Sequence, residues 1–497
     1  MTSPYVVLVG LALAIGAFSY FAINEKQIDQ ILCRFQLRRS RARESLTPPR
    51  SLSPAKQGLP ENEPPEGKEY LYTFPPSRRP ALADISDKTF SVDGKSGEEL
   101  SKLPVDISKI MSDKTDNFAP SNDDKFTPTG FTGAEVKALG NFPDYAALSG
   151  VPLPEAYPEF DINTAKARPF RPLRWAYHQT MSFKKMEKDW WLELENNYAR
   201  RVKQRQDLYA KYGKMVLQAL PGTEIACKEL MEMALQFLCA RYPQYFRIDK
   251  EKLIFHNGIL KTETDLNSMP PLNVLLNNVP EDFAMVFRDP ETGFYTFRAG
   301  TVCSSLGWNV DTKIGMDLKQ IHKPIPDYKE KMEFSMDRYF SKKPCEKPIQ
   351  RGSWGLEIDE PLFMPPGDPH EKLREQQDPT HDVSRANLRV DWQTLRRLPL
   401  SGAVVFNFKA LFTPVTEFRD EPHIPTLMLK LLREGKKSLM DYKGTWHTEH
   451  VVIPAMEEYE KEQIEKGLVD KNWQPHSLDE YPYYAGWEEK WHRQQGF

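Results

Sequence analysis

Short apolar runs separated by turn residues fill the second half of this 497-residue chain and predict a sheet. Phe283-Ala284-Met285-Val286-Phe287 has the length and composition of a buried strand. Asp289-Pro290-Glu291-Thr292-Gly293 follows with hairpin-turn chemistry, and 294–300, aromatic and β-branched, reads as the return strand. Lys252–His256, with a turn at Asn257-Gly258, is a further strand. Trp354–Phe363 alternates polar and apolar positions like a half-buried strand. Leu388–Pro399 and Ala403–Phe412, joined at Ser401-Gly402, complete the set, the last carrying the strongest strand pattern in the chain. Helical spacing precedes them. Met186, Trp190, Leu194, Tyr198 and Val202 recur every four residues, with Glu187, Glu195, Arg201 and Lys203 on the polar side. A second stripe, Leu230, Met233, Phe237 and Leu238, runs from Pro221-Gly222-Thr223 to Pro243, and Pro425–Glu434 is a later helix. Hairpin-joined strands with helices mostly before them predict an α+β domain on an antiparallel sheet.

The ends read differently. Tyr5–Ile23 carries no charge and approaches the ~20 apolar residues of a spanning helix. A cleaved signal peptide would want a basic start, which Met1-Thr2-Ser3-Pro4 lacks. Residues 1–24 are therefore expected to be a single transmembrane anchor. Lys26, Arg34, Arg38, Arg39, Arg41 and Arg43 just after it place the body on the cytosolic side, with the endoplasmic reticulum as the expected membrane. Residues 25–160, rich in Pro, Ser and charge, read as a basic juxtamembrane segment and a disordered linker. The folded body is expected over 161–435, with 436–497 an aromatic tail, bearing Trp487 and Trp491, packed on it.

A formal charge of −3 implies no polyanion partner, and no nucleic-acid-binding signature is present. The 5 cysteines are scattered, with no CxxC or CxxCH, which argues against a disulfide framework, a zinc ribbon, a cysteine-held cluster or covalent haem. There is no dinucleotide glycine motif, Walker loop, HExxH or nucleophile elbow. His447-Thr448-Glu449-His450 offers one metal-like spacing without further ligands and reads as a solvated loop.

The chemistry concentrates between Glu281 and Pro326. Small residues from Gly300 to Ser305 lead to Trp308 and to Ile321-His322-Lys323-Pro324-Ile325-Pro326, where the prolines restrict the backbone next to the histidine. Glu281, Asp282, Phe283, Ala299, Gly300, Val302, Cys303, Ser305, Trp308, Lys313, Gly315, Ile321, His322, Pro324 and Pro326 together form a pattern. Through it the chain resembles the alpha subunit of the haem-dependent oxidative N-demethylases, over about 169–432.

The resemblance implies a PAS-like antiparallel sheet with flanking helices, binding haem. His322 is then the axial iron ligand, ahead of His256 and His178, with Cys303, Trp308 and Trp354 as further cofactor contacts. Around Cys303 the sequence shows no cation that would favour a thiolate. Arg389, Gln393 and Arg396 are expected by the bound oxygen, and Glu357 or Asp359, two apart on one strand face, would hold a cationic amine. The alternative is a structural network of these same charges. The implied activity is monooxygenation of a carbon next to an amine nitrogen. Its electrons would come from a separate reductase, drawn from NADPH through flavin and an iron–sulfur cluster. A non-catalytic haem- or ligand-binding PAS-type sensor or adaptor at a membrane is the other reading. Ser353 stands where the family carries Asn, and Asp391-Trp392 where it carries Glu-Arg, so specificity for dimethylamine is not implied.

Overall fold

The computed structural model describes residues 74–80, the backbone of 91–92 and 95–96, and 127–497 apart from 178–179 and 290–291. The expected anchor at Tyr5–Ile23, the basic segment behind it and His178 lie outside the described residues. Among the described residues no helix is long and apolar enough to cross a membrane.

The architecture is α+β. The main sheet has seven strands: β1 Lys184–Lys185, β2 Leu217–Ala219, β3 Asp282–Arg288, β4 Tyr295–Thr301, β5 Ile349–Ile358, β6 Ala386–Arg397 and β7 Val404–Pro414. Their order is β1-β5-β6-β7-β3-β4-β2, and every pairing is antiparallel. The helices that matter here are α1 Tyr198–Tyr212, α2 Glu224–Arg241, α3 Leu318–His322, α4 Glu333–Lys342, α5 Ile424–Glu434, α6 Lys437–Lys443, α7 Trp446–Glu465 and α8 Trp487–Gln495. A small separate sheet, Phe246–Asp249, Ile254–Asn257 and Thr262–Asp265, contains the strand expected around Lys252–His256.

Side chains alternate across each strand, so the register sorts the sheet into two faces. On one, Met285, Val405, Leu398 and Ala299 join the large cluster with α2, while Leu356, Leu388, Val390 and Trp392 pack with α5 and α7. On the other, Ala284, Val286, Phe297, Leu395 and Phe406 gather with Leu318, Met332, Met336 and Phe340. The first face is closed by helices. The second holds the cavity described below.

Three expectations change. The four-residue stripe from Met186 to Val202 is one helix only from Tyr198; 188–190 is a single 3-10 turn and 191–197 is irregular. Trp191, Leu192, Glu193 and Leu194 are all buried, so this stretch has no polar face to present. Its amides bond outward instead, Glu193 N to Glu281 Oε1 (3.1 Å) and Leu194 N to the Tyr242 hydroxyl (3.3 Å). Residues 127–160, expected as linker, pack into the core through Phe131, Phe142, Tyr145, Tyr157 and Phe160. These aromatics are spaced without a period, which conceals a fold from pattern reading. The strand expected over Trp354–Phe363 runs earlier, as β5 from Ile349 to Ile358. The 436–497 segment is mostly helical, and α8 is tied back by Trp491 Nε1 to the Lys166 carbonyl (2.8 Å) and by Lys490 Nζ to Glu421 (3.1 Å).

Candidate functional site

A cavity of about 480 Å³ lies on the second sheet face, within the usual range for small-molecule and cofactor pockets. Its floor follows from register. Arg351 pairs with Gln393, Gln393 with Phe408, and Phe408 with Asp282, so one row crosses β5, β6, β7 and β3. Leu395, Phe406 and Ala284 form a parallel row, and Ser353 opposite Asp391 and Gly355 opposite Arg389 continue the floor. Its roof is the 304–308 turn, α3, Pro324 and Ile325, and Met332 and Met336; Tyr442 and Lys443 of α6 close one end.

The turn over the cavity is held by one carboxylate. Asp282, 1% exposed, accepts the backbone amides of Cys303 and Ser304, each at 2.8 Å, and pairs with Arg205 from α1. Ser305 Oγ donates to the Trp308 carbonyl (2.7 Å), which sets the indole at the cavity edge.

His322 ends α3, whose start is fixed by a capping box between Asp317 and Gln320. Its Nδ1 donates to the Leu318 carbonyl at 2.6 Å; a carbonyl can only accept, so the lone pair is left on Nε2. The ring stacks on Tyr328 with centroids 5.2 Å apart. Burial pushes the imidazole down to about 4, keeping it neutral. The orientation expected from the prolines thus comes from a helix carbonyl and an aromatic ring. This is the tautomer and posture of a histidine that offers Nε2 to a metal.

The other expected residues divide. Arg389, Gln393, Glu357, Trp308 and Trp354 border the cavity with His322; Arg396, Asp359 and Cys303 do not. Arg396 has the opposite parity on β6, paired with Val405, and lies over the Trp191 ring at 4.0 Å on the helix-covered face. Asp359 follows the end of β5 with φ +62, so the alternation stops before it, and it pairs at the surface with Arg385 (2.7 Å). Cys303 faces Val216 and Leu276, where burial pushes its thiol up to about 12; Arg205, the cation invisible in the local sequence, does not offset that. His256 sits on the small sheet beside Arg247 and Glu263.

Every carboxylate on the cavity wall already has an arginine. Asp282 pairs with Arg205, Glu357 with Arg374, and Asp391 with Arg389 at 2.9 Å. Arg389 also donates to the Pro361 (2.6 Å) and Ser304 carbonyls, so it braces the turn. Burial raises Glu357 above the usual carboxylate range while Arg374 pulls the other way. Missing from the sequence reading were Arg351, Lys443, Tyr177 and Tyr442. Lys443 lies beyond the expected body boundary at 435, and Arg351 lies before the expected strand start, so neither carried a sequence signal.

His447-Thr448-Glu449-His450 is helical, the start of α7, and not a solvated loop. Among the described residues no group of three or more ligands that could hold a metal occurs. His447 is 1% exposed; burial, with Arg374 nearby, lowers it from 6.5 to about 4. The unfolded chain therefore takes up this proton first as pH falls. The stability it contributes is complete above pH 6.5 and is lost as pH drops toward about 4, by up to about 3 kcal/mol. Urea midpoints measured from pH 7.5 to 4 should fall in the wild type and fall less steeply in His447→Gln; identical slopes would refute the assignment.

A family model described as haem-dependent oxidative N-demethylase, alpha subunit-like, matches residues 182–453. That interval contains all seven strands of the main sheet, from β1 to β7, together with α3 and α6.

Proposed function

Because this chain belongs to the haem-dependent oxidative N-demethylase alpha-subunit-like family, we propose that it binds haem in this cavity on His322 and oxidises a carbon adjacent to an amine nitrogen. The observation that carries the reading is the His322 ring: neutral, pinned at Nδ1 by the Leu318 carbonyl, and with Nε2 engaged by no described residue.

The donor set fits the group. A flat apolar macrocycle finds Val286, Phe297, Phe406, Phe408, Met332 and Met336, while an anionic molecule finds a wall with more cations than acids. Bound haem supplies dioxygen activation, and the oxidised amine is released as an aldehyde and a dealkylated amine. The chain's own work is positioning. Asp282 and Arg389 hold the 304–308 turn; the phenylalanines exclude water; Gln393, between Arg351 and Phe408 in the floor, presents an amide that can donate to a polar group. Arg396 has no part in this, and Glu357, bound to Arg374, orders the cavity edge. Electrons are assigned to a separate reductase, and the anchor at 5–23 to a membrane with the body in the cytosol.

The test is an absorption spectrum of the purified full chain titrated with haemin. A Soret band saturating at one haem per chain, with amine-dependent oxygen uptake once an artificial electron donor is added, is expected. Haem uptake without any amine oxidation would favour a sensor or adaptor, and no Soret band would overturn the haem reading.

A further inference from the structure

Two cations, Lys443 and Arg351, meet at the α6 end of the cavity with no ion pair to an acid among the described residues. Lys443, 8% exposed, donates from Nζ to Ser353 Oγ at 2.9 Å. It lies 5.5 Å from the Trp354 ring centre and 5.8 Å from that of Tyr177. Arg174 lies over the same Tyr177 ring at 5.7 Å and donates to Thr180 Oγ1. Arg351, two residues before Ser353 on β5, has a buried Nε without an acceptor, and the buried Trp354 Nε1 lacks one too. Asp391, the carboxylate whose field reaches Lys443, is already held by Arg389 at 2.9 and 3.1 Å. The unsatisfied groups at this end are donors.

The site is built. The last turn of α6 is pressed against β5 so closely that a Cβ on Gly355 would come within 2.8 Å of the Lys443 carbonyl oxygen. Gly444 then turns the chain away in the left-handed region, φ +65. Lys443 is therefore fixed in place. A buried ammonium beside a guanidinium whose Nε is buried, with no ion pair to an acid among the described residues, is costly unless an anion joins them. Their strain is visible in the amine itself: burial, with Arg351 nearby, lowers Lys443 to about 7, and Arg351 also falls below its usual range.

We propose that Lys443 and Arg351, with Ser353 between them, form a carboxylate-binding subsite of the cavity. This rests on the haem reading above. Two sources carry that chemistry: the propionates of haem, or the carboxylate of an amino-acid-like amine substrate.

The experiment compares the haem-loaded wild type with Lys443→Met. Two quantities are read: haem transfer to apomyoglobin, and the dissociation constants of N-methylglycine and of N-methylethylamine from their haem spectral shifts. One lost charged hydrogen bond predicts a change of about tenfold or more. Faster haem loss by that factor assigns the subsite to the propionates. Weaker binding of N-methylglycine alone, with haem retention and N-methylethylamine unchanged, assigns it to the substrate. No change in any of these overturns the subsite. If the wild type takes up no haem, the haem reading has failed, and calorimetry with propionate on the haem-free chain decides the subsite separately. Binding that Lys443→Met weakens supports it; no binding to the wild type overturns it. Should Lys443→Met not fold, Arg351→Lys, which keeps the charge and loses the Nε donor, is read in the same way.

Discussion

His322→Ala will cost the chain its haem, with affinity reduced on the order of a hundredfold or more. Removing a partner that only orients a metal ligand costs 10–100-fold, and here the proposed ligand itself is removed. The substitution leaves a small space at the end of α3 next to Tyr328, so free imidazole should enter it and restore part of the Soret band. Two controls share the histidine's or the arginine's chemistry but not the location. His256→Ala lies on the small sheet, and Arg396→Leu lies on the helix-covered face over Trp191. Both should keep the wild-type ferrous–CO spectrum. A His322→Ala protein with an unchanged CO spectrum would place the iron ligand elsewhere.

Asp282→Ala should destabilise the body by about 3–5 kcal/mol, the cost of stripping one partner from a buried ion pair. Both charges are inside: the side chains of Arg205 and Asp282 are 3% and 1% exposed. The change also leaves the amides of Cys303 and Ser304 without their acceptor, so the turn above the cavity loses its anchor. Urea unfolding would show the loss. Adding Arg205→Met should recover part of it, because the stranded guanidinium disappears with it. A single-variant loss under about 1 kcal/mol, or a double variant as unstable as the sum of the two, would show that the pair does not hold this turn.

The strands were legible where alternation or an apolar run decided them. β3, β4, β6 and β7 fall where the pattern placed them, because a strand with a buried face leaves few other registers open. His322 was also legible as a position, although not through the forces that orient it. What one strand's letters cannot show is which face meets the cavity. Arg389 and Arg396 look alike in sequence, yet their opposite parity separates them across the sheet. Glu357 and Asp359 have the same parity, and a single left-handed residue at the strand end sends them apart. The stripe from Met186 to Val202 misled for a related reason: every fourth residue is indeed buried or partly buried, but so are Trp191, Leu192 and Glu193 between two of them. Lys443 was out of reach because its place depends on α6 meeting Gly355, a contact between segments 88 residues apart by numbering (443 − 355).

The attachment of α8 bears on how the protein is made. Trp491 reaches Lys166, Lys490 completes a buried cluster in which Arg171 already grips Glu421 at 2.7 Å, and Pro482 accepts the Arg171 amide. The 166–171 stretch is therefore sealed by residues about 310 to 325 positions later in the chain. Ribosomes add roughly 5–20 residues per second, so the stretch from 166 waits tens of seconds for its closing partner. Throughout that interval the nascent chain carries Arg171 and Trp190, the indole against which Trp491 finally packs at 5.9 Å, without their final cover. A chaperone that binds exposed apolar segments should associate with chains arrested before residue 487 and leave once α8 has emerged.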